Sequence, residues 1–333
     1  MAQDDTILRH YLAPLQAALA GEDVTELVVN RPGELAVERA GGWTWHDAPD
    51  LTEAWLATLA KAAAAYTSQD VSEDLPICST VLPGGLRCQI VLPPAAEALS
   101  LTLRKPSAAS FDLAAFAAHG LFDEVRRATD ALAADEVELL RRRDAGDWTG
   151  FFRLAVESRR NLLISGATGS GKTTFAKGLV QLIPADERLI TIEDTRELTA
   201  PHRNAVHLLY AKDGQGLARV GPKLLLESAL RMRPDRILLQ ELRDGTAFFY
   251  LRNVNTGHPG TITTVHADSA ALAFEQLTLL VKESEGGRDL ARDDIRALLH
   301  SLVDVVVQMR RVGGRFRMTE VWYEPLRKRA LAA

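Results

Sequence analysis

The residues from Gly166 to Thr173 have the types and the spacing of a loop that binds phosphate. They read GATGSGKT and match the pattern G-x-x-x-x-G-K-[ST] at every fixed position. Glycines let such a loop wrap around phosphates, so that successive backbone N–H groups point at oxygen atoms. We expect Lys172 to reach the β- and γ-phosphates of a nucleoside triphosphate, and the hydroxyl of Thr173 to hold Mg²⁺.

The segments around this loop are those that the pattern requires. The apolar run NLLIS precedes it and predicts a buried strand, and a helical segment follows it. The positive end of that helix dipole adds to the attraction for phosphate. A dinucleotide-binding fingerprint does not fit, because it needs a glycine at Thr174. The residues predicted to contact the nucleotide here are Gly166, Ala167, Thr168, Gly169, Ser170, Gly171, Lys172, Thr173 and Thr174.

Two glutamates at predicted strand ends are the candidates for hydrolysis. The runs RLITIEDTREL and RPDRILLQELRD place Glu193 and Glu241 there, the latter after Gln240 rather than after the more common Asp. The carboxyl ends of neighbouring parallel strands meet at one edge of a sheet, so both should approach the γ-phosphate. We predict that Glu193 is the catalytic base of an ATPase and that Glu241 holds Mg²⁺, through water. The alternative is a pair of structural carboxylates that face solvent or bind Arg196 and Arg243.

Two histidines flank the apolar run TITTV. The stretch NTGHPGTITTVHADS places His258 before this predicted strand and His266 just after it. His266 is therefore expected on the phosphate side of the sheet, where it could hydrogen-bond the γ-phosphate and report its loss. A zinc site is disfavoured, because the two side chains lie at opposite ends of a strand and no third ligand has suitable spacing. Hydrogen-bonded structural histidines are the alternative for both positions.

The composition is that of a soluble globular protein with no general affinity for nucleic acid. The chain has 333 residues, of which 47% are hydrophobic and 25% charged, and its formal net charge is −5. This acidic balance, without a basic stripe interleaved with aromatic residues, argues against strong direct binding of nucleic acid. Cys78 and Cys88 form no CxxC pair and favour a reducing compartment. No secretory signal or membrane-spanning apolar run is visible, so we expect a cytoplasmic protein that is at most peripheral to a membrane.

The chain divides into two predicted domains and a linker. Residues 1–107 combine an amphipathic helix with short strands and predict a smaller α+β domain. Residues 108–150 contain short helical patterns and a charged stretch, and we interpret them as a helical linker. Residues 151–333 alternate helices with the apolar runs NLLIS, RLITIED, RILLQEL, TITTVHA and VDVVVQM. That alternation predicts an α/β domain with a mainly parallel sheet.

Four of these segments, in their order and spacing, resemble the motifs of the secretion traffic ATPases, the superfamily that drives type II secretion, type IV secretion and type IV pili. The phosphate loop, TIEDTREL, LRMRPDRILLQELRD and GHPGTITTVHA look like the Walker A motif, Asp box, Walker B motif and His box. In the N-terminal part, TELVVNRPGELAVE, PGGLRCQIVLPP and LTLRKPS are most similar to the ATPases of type IV secretion systems, the VirB-eleven type. Gln240 departs from the pattern, since the family usually has glycine there.

The resemblance implies a homohexameric ring of RecA-like P-loop NTPase domains that bind ATP and Mg²⁺. It also implies that arginines of the N-terminal domain close on the phosphates, for which Arg87 and Arg104 are the candidates, since the arginine fork bridges phosphate oxygens. Arg231 is a third candidate, and the roles of Arg233 and His258 stay open. The implied partners are inner-membrane secretion-channel proteins, the coupling ATPase of the system and the secreted DNA or protein substrate. The implied location is the cytoplasmic side of the inner membrane.

Other classes of protein remain as alternatives. Within the superfamily these are a type II secretion or type IV pilus motor; many type II enzymes carry a four-cysteine zinc module, which a chain with two cysteines lacks. A solitary P-loop kinase would not need the Asp and His boxes, and a GTPase switch should carry an Asn-Lys-x-Asp segment, which is missing. The remaining alternatives are a nucleotide-binding scaffold whose ATPase site is vestigial, and a RecA-like DNA motor.

Overall fold

The computed structural model describes residues 5–107, 112–125, 127, 129, 131–212, 215–243, 245–254 and 257–332. Asp244 and Asn255, which belong to segments quoted above, lie outside the described residues, as does the start of the predicted linker at 108–111. The described chain forms an N-terminal unit on an antiparallel sheet and a C-terminal unit on a mainly parallel one. In these described ranges, no helix has the length and apolar character needed to cross a membrane.

The N-terminal unit is built on a six-stranded antiparallel sheet. Its strands are β1 Glu26–Val29, β2 Gly33–Arg39, β3 Gly42–Ala48, β4 Ile77–Leu82, β5 Leu86–Val91 and β6 Ser100–Arg104. They lie in the order β3-β2-β1-β6-β5-β4. The turn between β4 and β5 places Gly84 and Gly85 at φ +79° and +76°, a region that favours glycine.

Two helices, α1 Thr6–Leu19 and α2 Glu53–Tyr66, cover one face of this sheet. The buried side of α1 consists of Leu8, Leu12 and Leu15, which recur at helical spacing. Leu27 and Val29 of β1 join the same core, whereas the residue between them points to the other face. The core is therefore formed by apolar residues that recur at every second position in the strand and at every third or fourth position in the helix.

The C-terminal sheet has seven strands among the described residues. They are β7 Leu162–Gly166, β8 Leu189–Glu193, β9 Ala205–Leu209, β10 Arg236–Leu239, β11 Ile262–Val265, β12 Val305–Val312 and β13 Arg315–Trp322. Hydrogen bonds define the orders β10-β8-β9 and β11-β7-β12-β13, and a parallel bridge from Glu241 to Thr264 joins the two groups. Every pairing is parallel except that of β13 with β12. The predicted α/β class with a mainly parallel sheet is confirmed.

Helices cover both faces of this sheet. They are α4 Ala134–Asp144, α5 Trp148–Glu157, α6 Lys172–Val180, α7 Pro222–Ala229, α8 Thr246–Val254, α9 Ala270–Glu283, α10 Arg292–Leu302 and α11 Pro325–Ala332; a short α3, Leu113–Ala118, precedes them. Leu162 and Ile164 of β7 pack with α5 and α6, and Leu163 packs with α7 to α10 on the opposite face. Leu139 of α4 lies in the same core as α5, so this part of the predicted linker packs on the C-terminal unit.

The strands predicted from apolar runs are present, but three others are not apparent from such runs. β3 contains GWTWHDA and is mostly exposed, since it is the edge strand of its sheet. β13 contains RFRMTEVW; it is an edge strand of the C-terminal sheet and pairs with β12 in the antiparallel direction. β9, AVHLL, has only five residues, and its three central residues are buried. The edge strands β3 and β13 bury less apolar surface, so their sequences carry a weaker signal.

The two units share buried contacts. Ala95 and Ala96 of the N-terminal unit lie in the hydrophobic core of the C-terminal sheet, and Ala96 forms an antiparallel bridge with Leu208 of β9. The N–H of Leu209 donates to the carbonyl of Ala95 at 2.9 Å. Beside them Arg188, fully buried, donates to the side chain of Asn30 at 2.8 Å and to the carbonyl of Met232 at 2.8 Å. The interface is therefore apolar at its centre and cross-linked by hydrogen bonds.

Candidate functional site

The phosphate loop joins β7 to α6 at the carboxyl edge of the parallel sheet. Gly166 ends β7, and Lys172 begins α6. A Cβ atom at Gly166 would collide with the carbonyl oxygen of Met309 on β12. Gly171 has φ +91°, where side chains are strained. Both positions require glycine, so the loop geometry is specified locally by the sequence.

The remaining predicted loop residues divide between solvent and interior. Ala167, Thr168 and Gly169 are exposed at the tip of the loop, as is Thr174 on the first turn of α6. Ser170 is buried, and its Oγ has no hydrogen-bond partner among the described residues. Buried hydroxyls normally have a partner. The orphaned Ser170 hydroxyl therefore fits a loop that receives the oxygen atoms of a phosphate.

Lys172 is buried within the loop, with an exposed fraction of 7%. Its ammonium donates to the carbonyl oxygens of Gly166 at 2.6 Å and Ala167 at 3.0 Å. Burial lowers the pKa of Lys172, and the negative charge of Glu241 opposes this shift. A desolvated ammonium that is held by neutral carbonyls gains most from an anionic ligand.

Three of the predicted side chains meet at this loop. His266 follows β11 directly, and its Nδ1 lies 3.4 Å from Nζ of Lys172. Its Nε2 lies 3.0 Å from Oε1 of Glu241, which follows β10. The parallel bridge between Glu241 and Thr264 brings these strand ends together. The sheet therefore assembles Lys172, His266 and Glu241 into one connected group, as their placement at carboxyl ends of strands predicted.

The same group has donors that suit Mg²⁺. The hydroxyl of Thr173 lies one residue after Lys172 on a half-buried position, and Glu241 supplies a carboxylate. Mg²⁺ prefers oxygen ligands and keeps several waters, so one or two protein oxygens together with phosphate oxygens are sufficient. The described residues contain no cluster of three or more His, Cys, Asp or Glu side chains that could hold a metal ion without a substrate. The donor set fits a metal bound together with a triphosphate.

Glu193 lies at the end of β8 but is engaged by its own loop. Its Oε1 accepts the N–H groups of Glu197 at 3.0 Å and Leu198 at 2.8 Å. Its Oε2 accepts the hydroxyl of Thr191 at 3.2 Å. Burial raises the pKa of Glu193, and the two backbone hydrogen bonds oppose the shift. The carboxylate thus organises the loop after β8, and it makes no hydrogen bond or ion pair with Lys172, His266 or Glu241.

A hydrogen-bonded chain leads from Glu193 to the next strand. Nδ1 of His207 lies 2.9 Å from Oγ1 of Thr191, its register partner across β8 and β9. Burial, followed by the charge of Arg196, lowers the pKa of His207 to about 4. Thr191 and His207 are not among the residues predicted from the sequence, although each alternates with core residues in its strand. A polar residue at a buried strand position was the available signal.

The neighbouring charged residues are paired. Arg243 forms an ion pair with Asp194, and Arg196 pairs with Glu97 of the N-terminal unit. The alternative that Arg196 and Arg243 neutralise the glutamates Glu193 and Glu241 is therefore not what the structure shows. The loop after β8 is instead tied to the N-terminal unit and to the loop after β10.

The candidate arginines gather in a second place, a cleft of about 1560 Å³ between the two units. Arg87 on β5 and Arg104 on β6 are register partners, and Arg231 faces them from the segment before β10. Arg233 is neutralised there by Glu38 at 2.9 Å and Asp235 at 2.6 Å. Neither Arg87 nor Arg231 makes a side-chain hydrogen bond or ion pair with another described residue, so their charges are available to an anion.

This cleft and the phosphate loop lie at opposite edges of the C-terminal sheet. Arg231 precedes β10 and His258 precedes β11, whereas the loop follows β7, and the three strands run in parallel directions. The cleft lining contains no described residue of the phosphate loop. Within one chain, the structure brings Arg87, Arg104 and Arg231 together but does not bring them to the loop.

Glu26 lies at the base of this cleft with a buried carboxylate. Its Oε1 is 3.5 Å from Nε of Arg104, and its Oε2 has no hydrogen-bond partner among the described residues. Burial raises the pKa of Glu26 to about 7, while Arg104 opposes the shift. A raised pKa in the folded state means that stability is lost as pH rises from the unfolded value of about 4.3 through 7.

Replacing Glu26 by glutamine should remove this pH-dependent loss. We expect Glu26→Gln to unfold with a free energy up to about 3 kcal/mol higher than the wild type at pH 8.5, and with a similar free energy at pH 4.5. Denaturant unfolding followed by tryptophan fluorescence measures both. Glu22→Gln, an exposed glutamate on the same cleft, is the matched control and should change neither value. A gain for Glu26→Gln that is equal at the two pH values would rule out this account.

The fold and the group around Lys172 define a class: a phosphate-loop protein with a RecA-like C-terminal unit. The family model described as type II/IV secretion system protein matches residues 59–314. A type IV secretion system protein VirB11 of Bartonella henselae is 52% identical over 96% of this chain and 93% of its own length. The corresponding protein of Brucella suis is 45% identical over 97% and 91%.

A solved structure agrees with these sequence relatives. The VirB11 ATPase of the Brucella suis type IV secretion system, crystallised with sulphate, superposes with a TM-score of 0.91 at 44% identity and covers 97% of this chain and 99% of its own. The chain belongs to the type II/IV secretion system protein family, in its VirB11 branch of type IV secretion ATPases. The resemblance seen in the four motifs is thereby confirmed.

Proposed function

We propose that this protein is a Mg²⁺-dependent ATPase that forms a homohexameric ring and energises a bacterial type IV secretion system. The observation that carries the proposal is the contact of Lys172, His266 and Glu241 at the phosphate loop. Conjugation or effector secretion would supply the DNA or protein substrate. The membrane association would come from channel proteins of the inner membrane and the coupling ATPase, with the ring on the cytoplasmic side.

Each side chain of the group has a role in this proposal. Lys172 exchanges the loop carbonyls for β- and γ-phosphate oxygens, and the N–H groups of the loop bind the remaining oxygens. Thr173, directly, and Glu241, through water, would hold Mg²⁺, and the metal would supply positive charge beside the phosphates. His266 donates a hydrogen bond to the γ-phosphate. When the γ-phosphate leaves, this hydrogen bond is lost, and the contact of His266 with Glu241 transmits the change. Glu193 is the proposed base that orients the attacking water.

Glu193 keeps one acceptor position through which it could act. Its carboxylate accepts two backbone N–H groups on Oε1 and one hydroxyl on Oε2, which leaves Oε2 one lone pair for a water. Because the ion pair of Arg196 with Glu97 ties its loop to the N-terminal unit, a neighbouring copy that contacts this unit could act on Glu193 through the loop.

The arginines of the cleft would act between copies of the chain. Arg231 lies at the amino edge of the C-terminal sheet, and Arg87 and Arg104 line the same cleft from the N-terminal sheet, away from the phosphate loop of their own chain. In a closed ring, one face of each copy meets the opposite face of the next. We propose that the cleft of one copy receives the phosphate end of the nucleotide of a neighbour, where arginines stabilise the transition state.

The first test combines ATP turnover with molecular mass from light scattering. We expect a species of six 36.4-kDa chains in the presence of ATP and Mg²⁺, and phosphate release that stops when EDTA removes the metal. A protein that stays monomeric while it turns over ATP would overturn the ring. A hexamer that releases no phosphate under any condition would overturn the enzyme.

A further inference from the structure

An exposed aromatic side chain lies against the phosphate loop. Phe316 of β13 is 54% exposed. A Cβ atom built on Gly171 would lie 2.9 Å from Cγ of Phe316 and 3.1 Å from its Cδ1. The ring therefore packs directly on the backbone of Gly171, the residue before Lys172. Its outer face is open to solvent.

The sheet fixes this position. β12 pairs with β7 so that Met309 is the register partner of Gly166, and Met309 in turn pairs with Met318 of β13. Met318 packs in the core beside α6. Phe316 lies two residues nearer the hairpin turn and so points to the same face of the sheet, just beyond the start of α6. Its place beside Gly171 follows from the strand register and not from a free loop.

Phe316 has no evident task in the hydrophobic core. It belongs to none of the three clusters of buried residues, whereas Phe175 on the first turn of α6 contacts Phe152 with ring centroids 5.1 Å apart. Its register partner on β12 is Arg311, which is also exposed. An aromatic and a guanidinium side by side at a phosphate site form a surface suited to a flat, polar ring.

The residues on the side of the loop opposite Phe316 indicate the direction in which a bound nucleotide extends. His266 and Glu241, the partners proposed for the γ-phosphate and the metal, follow β11 and β10. The strand order β10, β11, β7, β12, β13 places these side chains on one side of the loop and the hairpin on the other. The end of the nucleotide that carries the base must extend away from the γ-phosphate, which is toward Phe316.

We propose that the outer face of Phe316 stacks on the base of the bound nucleoside triphosphate. This inference rests on the proposed binding of ATP phosphates by the loop from Gly166 to Thr173. Stacking on an aromatic ring tolerates different bases. Phe316 therefore contributes affinity for a nucleotide over a bare polyphosphate, and it does not by itself distinguish adenine from guanine.

The test compares a ligand that has a base with one that has none. Calorimetric titration with ATP and with inorganic tripolyphosphate should show that Phe316→Ala weakens ATP binding by roughly tenfold and leaves tripolyphosphate binding unchanged. Phe316→Trp should bind ATP at least as tightly as the wild type. Val312→Ala changes another apolar residue of the same hairpin with the same exposure of 54% and is the matched control.

The outcomes separate this inference from the proposed function. If the wild type binds ATP and Phe316→Ala binds it equally well, the stacking role is overturned while the ATPase proposal stands. Equal losses for ATP and tripolyphosphate in Phe316→Ala also overturn it, because they show distortion of the loop. Failure of the wild type to bind either ligand overturns the proposed function and this inference with it.

Discussion

Replacing Glu193 by glutamine is expected to lower ATP turnover by about 10²- to 10⁴-fold while ATP binding persists. The proposed base is lost, yet Lys172 and the phosphate loop are untouched. The amide oxygen of glutamine can still accept both backbone N–H groups, from Glu197 and Leu198, that Oε1 of Glu193 accepts. Single-turnover hydrolysis and calorimetric titration of ATP, measured on the same preparation, separate the chemical step from binding.

Two further variants distinguish a base from a structural carboxylate. Glu197→Gln changes an exposed glutamate in the same loop and should leave turnover within a few fold of the wild type. Thr191→Val removes the hydroxyl between Glu193 and His207, and should shift the pH profile of turnover without abolishing it. If Glu193→Gln hydrolyses ATP normally, or if it loses ATP binding and thermal stability together, the catalytic assignment is wrong.

Replacing Arg104 by alanine is expected to reduce turnover by roughly 10³-fold, the effect typical of an arginine that stabilises phosphoryl transfer. The side chain of Arg104 is 67% exposed, and its guanidinium has one ion-pair contact among the described residues, at 3.5 Å to Glu26. Arg39→Ala removes another arginine of the same sheet, outside the cleft, and is the control. Phosphate release at saturating ATP measures both variants.

A mixing experiment then shows whether Arg104 acts between copies. Arg104→Ala keeps an intact phosphate loop, and Lys172→Ala keeps an intact cleft. Rings that contain both variants should recover activity above the sum of the two alone, because some loops then face an intact neighbouring cleft. Absence of recovery in rings shown by mass to be mixed would contradict the proposal that the arginine acts on a neighbour.

The phosphate edge of the sheet could be predicted from sequence because its signals are local. The glycines of the loop, Lys172, and the apolar strands that end near Glu241 and His266 all lie within a few residues of their functional atoms. Topology rules for parallel sheets supplied the rest, since carboxyl ends of strands converge. The prediction that Lys172, Glu241 and His266 share one site needed no knowledge of the packing between the two units.

Other features depend on relations that a single sequence does not encode locally. The arginines Arg87 and Arg104 were expected near the nucleotide, but which copy of the chain supplies them depends on how the two units pack. The engagement of Glu193 by the N–H groups of its own loop depends on backbone conformation after β8. No local pattern marks Phe316, because its contact with Gly171 comes from the register of β13.

The shared core of the two units determines where the proposed ring can flex. Ala95 and Ala96 sit in the C-terminal core, and the backbone bonds at Leu209 and His207 continue the contact. Pulling the units of one chain apart would expose apolar surface and the buried Arg188 together. Each chain should therefore move as one rigid body, and the flexibility of the proposed ring should lie at the interfaces between chains. The movement coupled to ATP hydrolysis would then be the opening of an interface between two chains. Force from the secretion channel would be transmitted through whole chains.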